Sequence, residues 1–207
     1  MAQKPRETEE KSNRLIGRRY RYTNDYQVVP ALGSDGRGKR IFYIGSWFLP
    51  VNEPVEYRKL VLWIQILTAA ALAAVLVAVG IIPPPYDHKW YLPILVLGLF
   101  PLAFQVMGAV RIPGKIIHME HQRYDKSIVR AGQSAAFALV VICISALGCL
   151  AYWIVAAVGT VPNEAPYAWT DGAFAALLIL AAAAEWAVRR LSRKIKIDTL
   201  DHDAYHP

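Results

Sequence analysis

Four long stretches of this sequence carry almost no charge, and they limit what the chain can become. Residues 60–82 are 23 consecutive uncharged residues, enough at about 1.5 Å per residue to cross an apolar layer about 30 Å thick. A second run extends from about Trp90 to Val110 and a third from about Ser134 to Val158. The fourth, from about Asp171 to Val188, contains only Asp171 and Glu185 as ionisable residues. Backbone polar groups in hydrocarbon must be satisfied within their own segment, so such runs read as transmembrane helices. Hydrophobic residues make up 55% of the chain and charged residues 19%, with the charge confined between the runs. That distribution excludes an ordinary soluble domain and a disordered chain. The expected fold is an all-α membrane protein: a four-transmembrane-helix bundle with a small cytoplasmic N-terminal β-hairpin.

The charges between the runs set an expected orientation. Residues 1–59 carry 12 Lys and Arg, residues 111–130 five and residues 189–196 five, whereas residues 82–90 carry only Lys89 and residues 159–170 none. Positive charge collects on the cytoplasmic side, so both termini and residues 111–133 are expected there, with the protein in the cytoplasmic membrane. Trp90, Tyr91, Tyr167 and Trp169 then mark the outer interface. The formal net charge of +7 is accounted for by topology and by anionic headgroups, so membrane lipids are the expected partners and nucleic acid is not. The chain divides into a disordered basic tail (1–19), a hairpin and helix start (20–58), the four-helix domain (59–190) and a C-terminal tail (191–207).

Residues 20–29 alternate to place Tyr20, Tyr22, Tyr26 and Val28 on one side, and residues 39–48 are rich in aromatic and branched side chains. An Asp35-Gly36 step between them is a turn signal, which predicts a hairpin. A lone hairpin is marginal in water. Its seven aromatic residues, Tyr20, Tyr22, Tyr26, Phe42, Tyr43, Trp47 and Phe48, are therefore a candidate assembly surface, for a second copy or a membrane-complex partner. Pro54 suits the first turn of a helix leading into the first span, with Glu53 and Glu56 at its positive end. Ala70, Ala74 and Ala78, and the alanines at 181–184, offer smooth faces for helix contact.

Gly33 to Lys39 matches the spacing of a phosphate-binding loop, but Arg40 stands where Ser or Thr would hold magnesium, and a strand-like run follows where a helix is required. It is read as a basic hairpin turn able to meet anionic headgroups. His118, His121 and Asp125 recur at i, i+3 and i+7, a spacing that on one helix aims three ligands at a metal, here without a fourth. Cys143 and Cys149 point apart on a helix and are read as buried apolar residues. No cofactor is expected.

Gln65, Gln105 and Glu185 lie at similar depth, roughly 6–8 Å from the cytoplasmic ends of their helices. They form a candidate polar pocket, to which Gln133 and Ser134 can contribute. The bland alternative has Glu185 pairing with Arg189 four residues on and both side chains reaching for the interface. The function expected is a non-enzymatic multi-pass membrane subunit or scaffold that presents a basic cytoplasmic surface and hairpin for assembly. The alternative is a small transporter or channel using the polar pocket, and the third is an interfacial metal-dependent enzyme.

Overall fold

The computed structural model describes residues 25–30, 39–81, 89–158 and 168–200. They belong to two compact units: residues up to Leu49 with His118–Gln122 and those from Asp198 onward, and Pro50–Ile117 with Arg123–Ile197.

The larger unit is built from helices α1 (Pro54–Gly80), α2 (Tyr91–Arg111), α4 (Arg130–Ala157) and α5 (Ala168–Ser192). A short helix α3 (His121–Tyr124) and a π-helical segment (Asp125–Val129) lead into α4. Four helices are thus long and apolar enough to cross a membrane. They pack in the cyclic order α1, α2, α4, α5, with the α1–α2 seam the lightest of the four contacts.

α1 begins at Pro54, where a missing N–H costs nothing; Tyr57 N–H bonds Glu53 C=O at 2.8 Å. Its buried stripe is Ile64, Thr68, Ala71, Val75 and Ala78, a helical repeat of three and four residues. The contact face differs from the expected one by a rotation: Ala70 is exposed and Ala74 only partly buried, because Ile64, Thr68, Ala71 and Val75 align with the neighbours' side chains. α5 buries Phe174, Ala175, Leu178, Ala181, Glu185 and Val188.

Two helices extend beyond the uncharged runs. The third starts at His121 rather than near Ser134, because charged residues at a helix end lie outside the apolar stretch without breaking the backbone ladder. The fourth continues to Ser192, taking Arg189 and Arg190 into its last turn, where cations suit the helix dipole. Tyr91 turns into the bundle, fully buried against Phe174 and Tyr152, while Trp90 beside it is 55% exposed. Cys149 is buried as expected, but Cys143 is exposed on the far side of the same helix. Tyr167 and the side chain of Trp169 lie outside the described residues.

Glycine sets how closely α2 approaches the start of α4. A Cβ on Gly108 would stand 2.8 Å from the Ala131 backbone nitrogen and 3.1 Å from the Ser127 carbonyl oxygen, inside the π-helical segment. Ser127 Oγ in turn donates to the Arg123 carbonyl at 2.7 Å, serving a backbone acceptor within the widened turn.

The smaller unit holds two sheets. β1 (Tyr26–Pro30) and β2 (Lys39–Tyr43) pair antiparallel with Tyr26 opposite Tyr43 and Pro30 opposite Lys39; the turn at 31–38, including the glycine-rich loop, lies outside the described residues. The expected second strand does not run on to Phe48. The chain bends at Ile44-Gly45-Ser46, where Asp25 C=O accepts both the Ile44 and Gly45 N–H, and a Cβ on Gly45 would meet Asp25 at 2.8 Å. β3 (Trp47–Pro50) therefore joins a different sheet, of order β4–β3–β5, with β4 (Met119–Glu120) and β5 (Ile197–Leu200). Residues 197–200, expected within a C-terminal tail, are thus a strand. The segment before them is clamped by Asn52, whose Nδ2 donates to Lys194 C=O and whose Oδ1 accepts from Lys196 N–H at 2.8 Å.

Gly108→Ala should destabilise the bundle, because the obstructing atoms are backbone and overpacking costs about 1–3 kcal/mol. Gly172→Ala, where a Cβ meets nothing within 4 Å, should instead add about 0.5–1 kcal/mol through helix propensity. Melting temperatures of the two variants in mild detergent should move in opposite directions.

Candidate functional site

The three expected pocket residues are brought to one end of the bundle, the end where α1 begins and α2 and α5 finish. Gln105 and Glu185 are fully buried and Gln65 is partly so. Gln105 Nε2 donates to Thr68 Oγ1 at 3.1 Å, joining α2 to α1. Gln65 Nε2 donates to the Ala109 carbonyl at 3.2 Å. That carbonyl lacks its normal i+4 donor because residue 113 is proline, so a side-chain amide across the seam completes it alongside Ile112 N–H.

Glu185 does not reach outward, and among the described residues it makes no ion pair with Arg189. It points inward with Gln105 as its polar neighbour, yet among the described residues neither carboxyl oxygen has a hydrogen-bond partner, and Gln105 Oε1 is likewise without one. Gln133 is separate from this group; with Arg189 and Arg193 it lines a cleft of about 350 Å³ between α4 and α5. The residues gathered are therefore Thr68, Gln105 and Glu185, with Gln65 bonding on the same seam. Thr68 carried no signal in the sequence, since a threonine inside an apolar run bonds its own helix as readily as a neighbour.

A second polar tie lies at the opposite end. Lys89 Nζ pairs with Asp171 Oδ1 at 3.0 Å with both side chains buried, and the ammonium lies 5.8 Å from the centre of the Tyr152 ring. Cys149 Sγ donates to the Asp171 carbonyl at 3.5 Å. In the sequence Lys89 reads as a loop charge and Asp171 as a helix start. The available signal was that each is the lone charge of its otherwise neutral surroundings, with opposite signs. Like Gln105 and Glu185, this pair spans the α2–α5 diagonal.

In the smaller unit, four of the seven aromatic residues of the candidate assembly surface have described side chains: Tyr26, Tyr43, Trp47 and Phe48. Tyr20, Tyr22 and the side chain of Phe42 lie outside the described residues. The four are half-buried and much of their surface is used internally. Tyr26 and Tyr43 meet edge to face at 5.2 Å, Tyr43 and Trp47 at 4.9 Å, and Phe48 lies 5.4 Å from the His121 ring. Tyr26 Oη donates to Glu120 at 2.7 Å, and Tyr43 Oη donates to Ser46 C=O while accepting from His121 N–H.

The histidine spacing does not become a shared helical face. His118 precedes strand β4 and His121 opens α3, so only His121 and Asp125 are helical, and His121 Nδ1 faces Asp25 Oδ2 at 3.2 Å instead. Among the described residues, no three histidine, cysteine or acidic side chains cluster as metal ligands do. No protein-family model, curated protein or solved structure matches the chain.

Removing one partner of the Lys89–Asp171 pair leaves a buried charge alone. Lys89→Met and Asp171→Leu should each cost about 3–5 kcal/mol, and the double variant should recover most of that loss. A double-mutant cycle by reversible unfolding in detergent checks this.

The Tyr26 hydroxyl is pushed up to about 12, first by burial and then by its bond to Glu120. Burial also raises Tyr43, with the His121 N–H acting the other way. Both favour the protonated, folded form, so their contribution is complete below the ordinary tyrosine value of about 10; that of Tyr26 is lost as pH rises through about 12, and that of Tyr43 is lost in the same direction. Ultraviolet titration of Tyr26→Phe should show one late-titrating phenol fewer than the wild type.

Proposed function

We propose that this chain is a multi-pass protein of the cytoplasmic membrane, with both termini cytoplasmic, serving as a non-enzymatic subunit or scaffold for protein assembly. The membrane placement is supported by large apolar side chains that remain exposed on every long helix, among them Trp63, Leu97, Phe100, Phe137, Leu147 and Leu180. Water would oppose that exposure by about 1.5–3 kcal/mol per side chain, whereas hydrocarbon accepts it. Orientation rests on the distribution of Lys and Arg.

The observation that carries the assembly reading is the smaller unit's pair of short sheets. β4 covers only Trp47 and Phe48 of β3, and β1–β2 is a two-stranded sheet among the described residues. Open strand edges supply backbone donors and acceptors to a second copy or a partner subunit. A transport reading is favoured by one observation, the buried Glu185 carboxyl without a hydrogen-bond partner, since ionisable groups at such depth mark ion and proton pathways.

Single cysteines at Ser12, Gln122 and Asn163, in a background lacking Cys143 and Cys149, test the orientation: only the last should react with an impermeant reagent from outside. Removing residues 20–43, and with them the hairpin, should leave an inserted four-helix protein that has lost its assembly by light scattering and co-purification; an unchanged assembly would move the contact to the helix faces. Glu185→Gln separates the two functional readings. A subunit keeps its assembly and gains about 1 kcal/mol of stability, because the new amide can donate to Gln105 Oε1. A transporter in proteoliposomes loses gradient-driven flux.

A further inference from the structure

Beside the α1–α2 seam, at the Pro54 end, α1 and the chain just beyond α2 border a cleft of about 750 Å³, within the range of about 300–1,000 Å³ for small-molecule sites. Arg58 and Lys59 enter it from the first turns of α1, and Lys115 enters from the chain just beyond α2. Gln65 also lines it, and its Nε2 bridges the seam to Ala109. No acidic side chain lines it among the described residues, so three cations share one cavity without an internal counter-charge. Gly114 keeps the mouth wide: nothing lies within 4 Å of where its Cβ would stand.

The remaining wall is apolar. Val61 and Leu62 line the cleft, and Leu62 is 55% exposed. Ile66, one turn further along α1, continues that outward apolar track. A cationic recess that opens onto an exposed apolar ridge has the chemistry of an amphiphile's two halves. A free phosphate would satisfy the cations and leave the ridge unused.

We propose that this cleft binds one anionic phospholipid, its phosphate held by Arg58, Lys59 and Lys115 and an acyl chain lying along Leu62 and Ile66. The site deepens the membrane reading given above and rests on it. It moves specific lipid contact from the hairpin turn to the start of α1 and the chain that follows α2. Basic recesses between helices at the headgroup level are suited to this role, each cation contributing through the anionic phosphate.

The test is native mass spectrometry of the full chain in mild detergent with phosphatidylglycerol, phosphatidylcholine or inorganic phosphate. Detergent has no leaflets, so lipid retention reads the cleft and the cysteine labelling reads orientation; failure of one is distinguishable from failure of the other. The wild type should retain one phosphatidylglycerol under activation that strips phosphatidylcholine, and millimolar phosphate should not displace it. Replacing Arg58, Lys59 and Lys115 together by glutamine should weaken retention about a hundredfold, while the same change at exposed Arg190, Lys194 and Lys196 should have little effect. Gly114→Leu, which fills the cleft and keeps every charge, should also release the lipid. Undiminished retention in the cleft variants, an equal loss in the distant triple variant, or displacement by phosphate would each overturn the assignment.

Discussion

The long helices are apolar on every side, so hydrophobicity cannot decide which of their faces meet. Leu62, Trp63 and Leu76 are as apolar as Ile64, Val75 and Leu178, yet the first three are exposed and the second three buried. What selects the inner faces is closeness of approach and the few polar groups that need partners. Gly108 and Gly98 let α2 lie against α4, and the alanines of α1 and α5 allow their contact.

The polar ties then fix registry. Lys89 and Asp171 join the start of α2 to the start of α5, and at the other end Gln105 of α2 bonds Thr68 of α1. Between them lies an unbroken apolar cluster including Val75, Leu95, Leu102, Ile142, Phe174 and Leu178. Sliding either helix by a residue would strand a charge or a glutamine among these side chains, where an unpaired polar group costs several kcal/mol. Glu185 is the part of this arrangement whose oxygens have no hydrogen-bond partner among the described residues.

The smaller unit solves a different problem. Two short strands have too little apolar surface to hold themselves together, and the chain sets a second sheet after them. Residues 119–120 and 197–200 flank β3 in that sheet, and Tyr43, at the end of β2, ties the bend at Gly45 to the start of α3 through its hydroxyl. The aromatic residues that looked free in sequence are partly consumed by this internal network, which leaves the strand edges as the feature available for assembly.

The four apolar runs, the helix start at Pro54 and a hairpin over residues 20–29 and 39–48, within which the structure pairs 26–30 with 39–43, could be read from the sequence because each depends on local periodicity, proline chemistry and turn residues. Gln65, Gln105 and Glu185 were also legible as polar exceptions at matching depth. The rest required the tertiary structure, because it depends on rotations and long-range pairings that local pattern does not encode. Whether Ala70 or Ala71 faces inward is a rotation of about 100° on an evenly apolar helix. Whether Glu185 turns to Arg189 or to Gln105 is decided by α2 across the bundle, and the Lys89–Asp171 pair joins residues 82 positions apart. A two-residue strand at 119–120 has no periodicity to detect. Only the folded chain, by bringing Trp47 and Phe48 alongside it, makes it a strand.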